Sequence, residues 1–173
     1  MSRSTLVIGD AIKNRGSRHL LSNDVEIPDE RIQDIVRDAV LHSPTPFNCQ
    51  SGRAVVLLKE EHKKFWDIAH DVAKASHAPP IFEKAFAPRI KMFRAAYGTI
   101  LFYEDSNALK VAEGKMPIVK EKMPQWSEHA TGMLQYAVWT MLTAEGLGAN
   151  LQHYNPMVDS AVAKQWDIPE DGA

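Results

Sequence analysis

Apolar residues recur along this chain in two rhythms, and the changes between them predict the elements. Over 29–42 (DERIQDIVRDAVLH), Ile32, Ile35, Val36, Ala39 and Val40 fall at i, i+3, i+4, i+7 and i+8. That spacing makes one buried face of a helix. Phe65, Ile68, Ala69 and Val72 repeat it over 60–76. Residues 4–14 predict a short helix with Ser4 as N-cap, and 81–93 a further one. Residues 107–122 predict short helices divided at Pro117, and 157–166 a last helix. RAVVLLK (53–59) and YGTILFYED (97–105) are short runs rich in β-branched and aromatic residues, so both predict strands. The prolines of SPTPF and of Ala78-Pro79-Pro80 end the helices before them, because they remove donors and restrict their neighbours.

The longest helix expected is 125–146 (QWSEHATGMLQYAVWTMLTAEG). Its apolar residues Met133, Leu134, Tyr136, Ala137, Val138, Trp139, Met141 and Leu142 lie nearly all round. Such a helix must be covered on every side. In a domain this small a second copy of the chain is an economical cover. GLGANLQ then reads as a C-cap followed by a short strand. Helices outnumber well-separated strands, which points to a sheet covered by helices on both faces.

Bulk properties narrow the class. A length of 173 residues suits one domain with a real core. A formal net charge of −2 offers no general attraction to nucleic acid or to an anionic membrane. No apolar run approaches the ~20 residues a membrane span needs, and the N-terminus lacks a signal-peptide layout. Cys49 is the single cysteine, which leaves no internal disulfide framework. The expectation is a soluble, cytoplasmic protein.

Three segments carry groups suited to chemistry. KNRGSRHLL (13–21) sets Lys13, Arg15, Arg18 and His19 around Gly16 and Ser17, where a helix gives way to a loop. Arginine forks suit phosphate, and so does a serine hydroxyl, although a solvated helix end looks much the same. SPTPFNCQ (43–50) packs Ser43, Thr45, Asn48 and Gln50 into a proline-stiffened loop. Amides there match both the donors and the acceptors of a heterocycle edge, while a plain structural turn needs the same residues. EGLGANLQHYNP (145–156) has an incomplete G-x-G-x-x-G with no preceding strand, so no dinucleotide fingerprint is present, yet LQHYN offers polar groups at a strand end. Nothing supports a hydrolase or a zinc enzyme. No G-x-S-x-G surrounds a serine, H-E-x-x-H is absent, and His62 and His70 sit eight apart as solvated helix positions.

Taken together, NRGSRHLL, SPTPFNCQSGRAVVLL, YGTILFYED and WSEHATGMLQYAVWTMLTAEGLGANLQHYNP resemble the nitroreductase superfamily, and within it the fungal and lactic-acid-bacterial branch. They occur in family order over nearly the whole chain. The resemblance implies an α+β, three-layer α-β-α fold with a central, mostly antiparallel sheet. It also implies an intertwined homodimer with one FMN in each of two interface sites. Arg15 and Ser17 match the arginine and serine that hold the phosphate and ribityl end. Gly16 falls where such proteins often have an arginine or histidine, and His19 where they have a basic or aromatic residue. Ser43, Pro44, Thr45, Asn48 and Gln50 match the loop reaching FMN from the other subunit, with Phe47 toward the substrate. Leu151, Gln152, His153 and Tyr154 match the loop beside the isoalloxazine, whose backbone N–H reaches flavin N5. Lys91 matches, loosely, a lysine at the pyrimidine edge.

The activity so implied is ping-pong hydride transfer from NADH or NADPH, through flavin N5, to a nitroaromatic, a quinone or a similar small oxidised molecule. The flavin carries the chemistry, so no side chain is expected as a catalytic acid, base or nucleophile. Gly16 weakens the phosphate grip. The 173 residues also stop before the C-terminal strand and basic arm usual in the family, so a single 1–173 nitroreductase-like domain without them is expected. Those two departures keep open a non-catalytic or regulatory flavin-binding member, beside a specialised biosynthetic oxidoreductase.

Overall fold

In this computed structural model the structure describes residues 8–169. The expected Ser4 cap and residues 4–7 lie outside that range. The first helix, α1, spans Ile8–Asn14, and α2 spans Asp29–His42. A single 3₁₀ turn, Pro46–Asn48, leads into β1, Gly52–Leu58, and α3, Lys59–Ser76, follows at once. The helical stretch expected over 81–93 starts earlier and is broken. It runs as α4 (Pro79–Ile81), a π turn (Phe82–Phe86) and α5 (Ala87–Arg94). Pro88 has no N–H for the carbonyl four residues back, which favours the wider turn there. Strand β2 is Gly98–Glu104. Then come α6 (Ser106–Lys115), a 3₁₀ stretch (Pro117–Lys122), α7 (Met123–Ala144) and α8 (Asp159–Trp166).

The two strands pair antiparallel, with Val55 opposite Leu101 and Ala54 opposite Phe102. Successive strand residues face opposite sides of a sheet. Strands apolar at nearly every position therefore need cover on both sides. Ala54, Val56, Ile100 and Phe102 pack with Ile32, Ile35 and Val36 of α2 and with Leu134, Val138 and Leu142 of α7. On the other face Val55, Leu57 and Leu101 pack with Phe65, Trp66 and Ala69 of α3, Ile90 and Phe93 of α5, and Val162 of α8. The result is the expected helix–sheet–helix sandwich, with two strands among the described residues.

One polar cluster and one close backbone approach sit inside it. Thr99 accepts from Trp66 Nε1 at 3.1 Å and lies 2.8 Å from His62 Nδ1, while His62 Nε2 faces the Arg94 carbonyl at 3.3 Å. Gly98 opens β2 where a Cβ would come 2.6 Å from Leu58 Cδ2 and 3.1 Å from the Leu57 carbonyl oxygen.

Two expectations need correcting. His62, expected as a solvated helix position, is buried against Thr99. GLGANLQ forms no strand. Gly146 leaves the helix with φ 84°, and the backbone beyond it makes only an isolated parallel bridge, Ser17 to Ala149. The apolar helix α7 is also not fully covered within the described residues. Leu134, Val138 and Leu142 are buried, but Met133 and Tyr136 stay exposed, as do Ile8 and Ile12 of α1, which packs beside α7. Among the described residues no helix is long and apolar enough to cross a membrane.

Candidate functional site

The N-terminal basic segment and the loop after α7, far apart in sequence, lie side by side. Arg18 donates its backbone N–H to the Ala149 carbonyl at 3.0 Å, next to the Ser17–Ala149 bridge. Asn150 Nδ2 donates to the Arg18 carbonyl at 2.6 Å, and Gln152 Nε2 donates to Asn150 Oδ1 at 2.8 Å. Gly148 permits this approach, since a Cβ there would come within 3.2 Å of the Arg18 side chain. Two of the three expected segments thus form one surface. Ser17 and His19 are exposed on it.

Arg15 is the most unusual group on that surface. Its guanidinium carbon lies 4.4 Å from the centroid of the Trp139 ring and 5.7 Å from that of Tyr136. Its Nε is buried without a hydrogen-bond partner, and so is Trp139 Nε1. Both are donors. Trp139 and Tyr136 were legible in the sequence only as apolar positions of α7. Their i, i+3 spacing puts them on one helix face, but nothing local says that an arginine lies over it.

The Ser-Pro loop is tightly wound. Phe47, Asn48 and Gln50 have φ of 48°, 53° and 54°. Asparagine tolerates this left-handed region, whereas a bulky phenylalanine at such φ carries strain on the order of 1–3 kcal/mol. The loop is stapled from within: Asn48 N–H donates to the Thr45 carbonyl at 3.0 Å, and Gln50 N–H to Thr45 Oγ1 at 3.0 Å. Arg53 Nη1 donates to the Gln50 carbonyl at 2.6 Å and Arg53 pairs with Asp105 at 2.7 Å. Beneath lies a polar knot that the sequence did not reveal. Buried Ser51 donates to Glu104 at 2.7 Å and meets buried Ser127 at 3.3 Å. The outcome is that the Phe47 ring, 54% exposed, stands beside Trp126 at the start of α7, with centroids 6.1 Å apart.

The expected site residues divide between two cavities. Ser43, Thr45, Asn48 and Gln50 line one of about 240 Å³, floored by Leu134. Leu151, Gln152, His153 and Tyr154 border one of about 600 Å³ that follows β2. The larger cavity is mostly apolar, and Arg15, Ser17 and His19 stand outside it. Arg18 borders it, and is the cationic side chain from the 13–21 segment that reaches this cavity. Tyr154 anchors its loop: the ring meets Trp66 edge-on at 5.2 Å, and burial raises its hydroxyl pKa. Pro44 and Phe47 border neither cavity, nor does Lys91, exposed on α5. Among the described residues of one chain, then, loops 43–50 and 151–154 border separate cavities.

The nitroreductase family model matches residues 12–173. The chain belongs to the nitroreductase family. Among its relatives is the nitroreductase FRM2 of Saccharomyces cerevisiae, 33% identical over 164 residues, which cover 92% of this chain and 79% of FRM2. The nitroreductase CinD of Lactococcus lactis, in complex with nicotinic acid, is 37% identical with a TM-score of 0.87, over 96% of this chain and 84% of CinD. A crystal structure of a Saccharomyces cerevisiae nitroreductase reaches a TM-score of 0.76 at 31% identity, over 95% of this chain and 86% of that one. CinD has further structures with chloramphenicol and with 4-nitrophenol. At the level of fold alone, a nitroreductase with bound FMN from Desulfitobacterium hafniense aligns with a TM-score of 0.68 at 16% identity, over 96% of this chain and 83% of that one. The nitroreductase-like α+β fold and the relation to fungal and lactic-acid-bacterial members are thereby established.

In this nitroreductase-family chain the polar groups of the candidate site fall into two chemically different sets. The 15–19 surface presents cationic and donor groups. The 43–50 loop presents amides and hydroxyls held by a stiff backbone.

Proposed function

We propose that this chain is an FMN-dependent NAD(P)H oxidoreductase acting as a homodimer. The observation that carries the reading is Arg15. A half-buried cationic side chain whose shielded Nε–H has no partner, beside a second unpartnered donor, is a site short of an acceptor. The phosphate of FMN is an acceptor with negative charge, so the residues present fit it. Arg15 and Ser17 would hold the phosphate and ribityl end, with His19 alongside. The 151–154 loop would offer a backbone N–H to the ring system. Ser43, Pro44, Thr45, Asn48 and Gln50 would come to the same flavin from a second copy.

Two findings favour that exchange. The two loops border separate cavities within one chain, and Ile8, Ile12, Met133 and Tyr136 leave an exposed apolar face on α1 and α7. Lys91 would act at the pyrimidine edge only if it faces the partner's site. Bound FMN would supply the redox chemistry, taking hydride from NADH or NADPH and passing it to an oxidised acceptor that replaces the nicotinamide. The protein's part is to orient the ring, exclude water and stabilise charge by fixed donors. Phe47, exposed and next to Trp126, would line the acceptor side. CinD complexes with 4-nitrophenol and nicotinic acid favour a small flat aromatic there.

The test is direct. Purified protein given FMN should become yellow, bleach anaerobically with NADH or NADPH, and recover colour with a nitroaromatic or a quinone. Sedimentation should give twice the 19.4 kDa chain mass. A protein that leaves FMN fluorescence unchanged and stays colourless refutes the proposal.

A further inference from the structure

We infer that Trp139 and Tyr136 are positioning residues that hold the Arg15 guanidinium ready for the phosphate of the flavin nucleotide, an inference that rests on the function proposed above. The two rings sit i, i+3 on α7, a helix fixed from its other side by buried Leu134, Val138 and Leu142. A guanidinium over the face of an indole is attracted by the ring's quadrupole and gives up little rotational freedom when it binds. No carboxylate pairs with Arg15 among the described residues. Its charge is therefore not neutralised by a carboxylate of the described residues. An aromatic shelf can orient a cation without competing for its N–H groups, which a carboxylate would do. Arg15 Nε and Trp139 Nε1 are both shielded donors without partners. Gly16, which follows, adds no side chain, and a Cβ there would meet nothing within 4 Å. The aromatic shelf thus does part of the work that a basic residue at position 16 would otherwise do.

Two flavins that differ in the phosphate isolate this role. FMN carries the phosphate and riboflavin does not. Dissociation constants for each are measured by quenching of flavin fluorescence, with wild type, Trp139→Ala, Trp139→Phe and Arg15→Ala, and circular dichroism confirms folding. Trp139→Ala should weaken FMN about tenfold, within the range of a desolvated cation–π contact, and leave riboflavin unchanged. Trp139→Phe should restore most of the FMN affinity, since a ring face remains. In the Arg15→Ala background the loss from Trp139→Ala should vanish. Equal weakening of FMN and riboflavin, or weakening of neither, overturns the inference while leaving the flavin reading intact. If Trp139→Ala does not fold, Trp139→Leu and Tyr136→Leu, which remove the ring face and keep an apolar side chain, decide it: FMN alone should weaken, and a loss equal for both flavins or absent for both counts against the shelf. Wild type that binds neither flavin overturns the cofactor reading and this inference together.

Discussion

Replacing Thr99 by valine should destabilise the domain far more than a change of one hydroxyl to a methyl suggests. Thr99 serves two buried groups at once. His62 is 1% exposed and Trp66 is 4% exposed. The Arg94 carbonyl can only accept, so His62 carries its proton on Nε2 and uses Nδ1 as an acceptor. Thr99 then donates to Nδ1 at 2.8 Å and accepts from Trp66 Nε1 at 3.1 Å. Valine has nearly the same shape and can do neither. Each buried group left unpaired costs roughly 1–3 kcal/mol. Some return comes from burying a methyl group. The expected net loss is about 2–4 kcal/mol, or roughly 4–16 °C in Tm for a chain of this size. Urea unfolding followed by tryptophan fluorescence, at one fixed protein concentration, measures it as a shift in midpoint at constant slope. The pairing can be isolated. With His62→Leu already present, Thr99→Val should cost at least about 1 kcal/mol less, because one of the two dependants is gone. A loss below about 0.5 kcal/mol, or the same loss in both backgrounds, refutes the shared-hydroxyl argument.

Two further outcomes follow from the same core. Gly98→Ala would drive a Cβ to 2.6 Å from Leu58 Cδ2 and 3.1 Å from a backbone oxygen that cannot move aside. It should lose about 1–3 kcal/mol in urea unfolding, and a wild-type midpoint would show that β1 and β2 are not so closely set. Acid should also weaken the fold through His62, whose pKa burial holds below its ordinary 6.5. The unfolded chain binds that proton more readily, so this stability is complete above about pH 6.5 and is lost as pH falls below it. His62→Gln should flatten the stability profile in that window, and an unchanged slope would remove His62 from the account.

The elements themselves were readable because they answer to local rules. The α2 pattern of Ile32, Ile35, Val36 and Ala39 predicts 29–42, and the helix is Asp29–His42. A buried face repeats every 3.6 residues whatever it packs against. Strands RAVVLLK and YGTILFYED were equally plain, because a run apolar at successive positions needs cover on both faces. The short strand in GLGANLQ was misread for the complementary reason. A strand needs a partner along its edge, and the only partner backbone in the described residues is the single bridge at Ser17.

The site was legible as three segments and illegible as an arrangement. Sequence order carries the polar groups of 13–21, 43–50 and 145–156, since each segment owns its residues. It does not carry which side chains from elsewhere stand beneath them. That Arg15 lies on Trp139, that Phe47 is bent into left-handed backbone beside Trp126, and that loops 43–50 and 151–154 border separate cavities are all results of packing between distant parts of the chain. Residue types and local periodicity therefore determined the helices, strands and candidate polar segments of this protein. The tertiary structure alone decided which donors were left without acceptors and which faces without cover, because burial is a property of the assembled chain and of no single stretch within it.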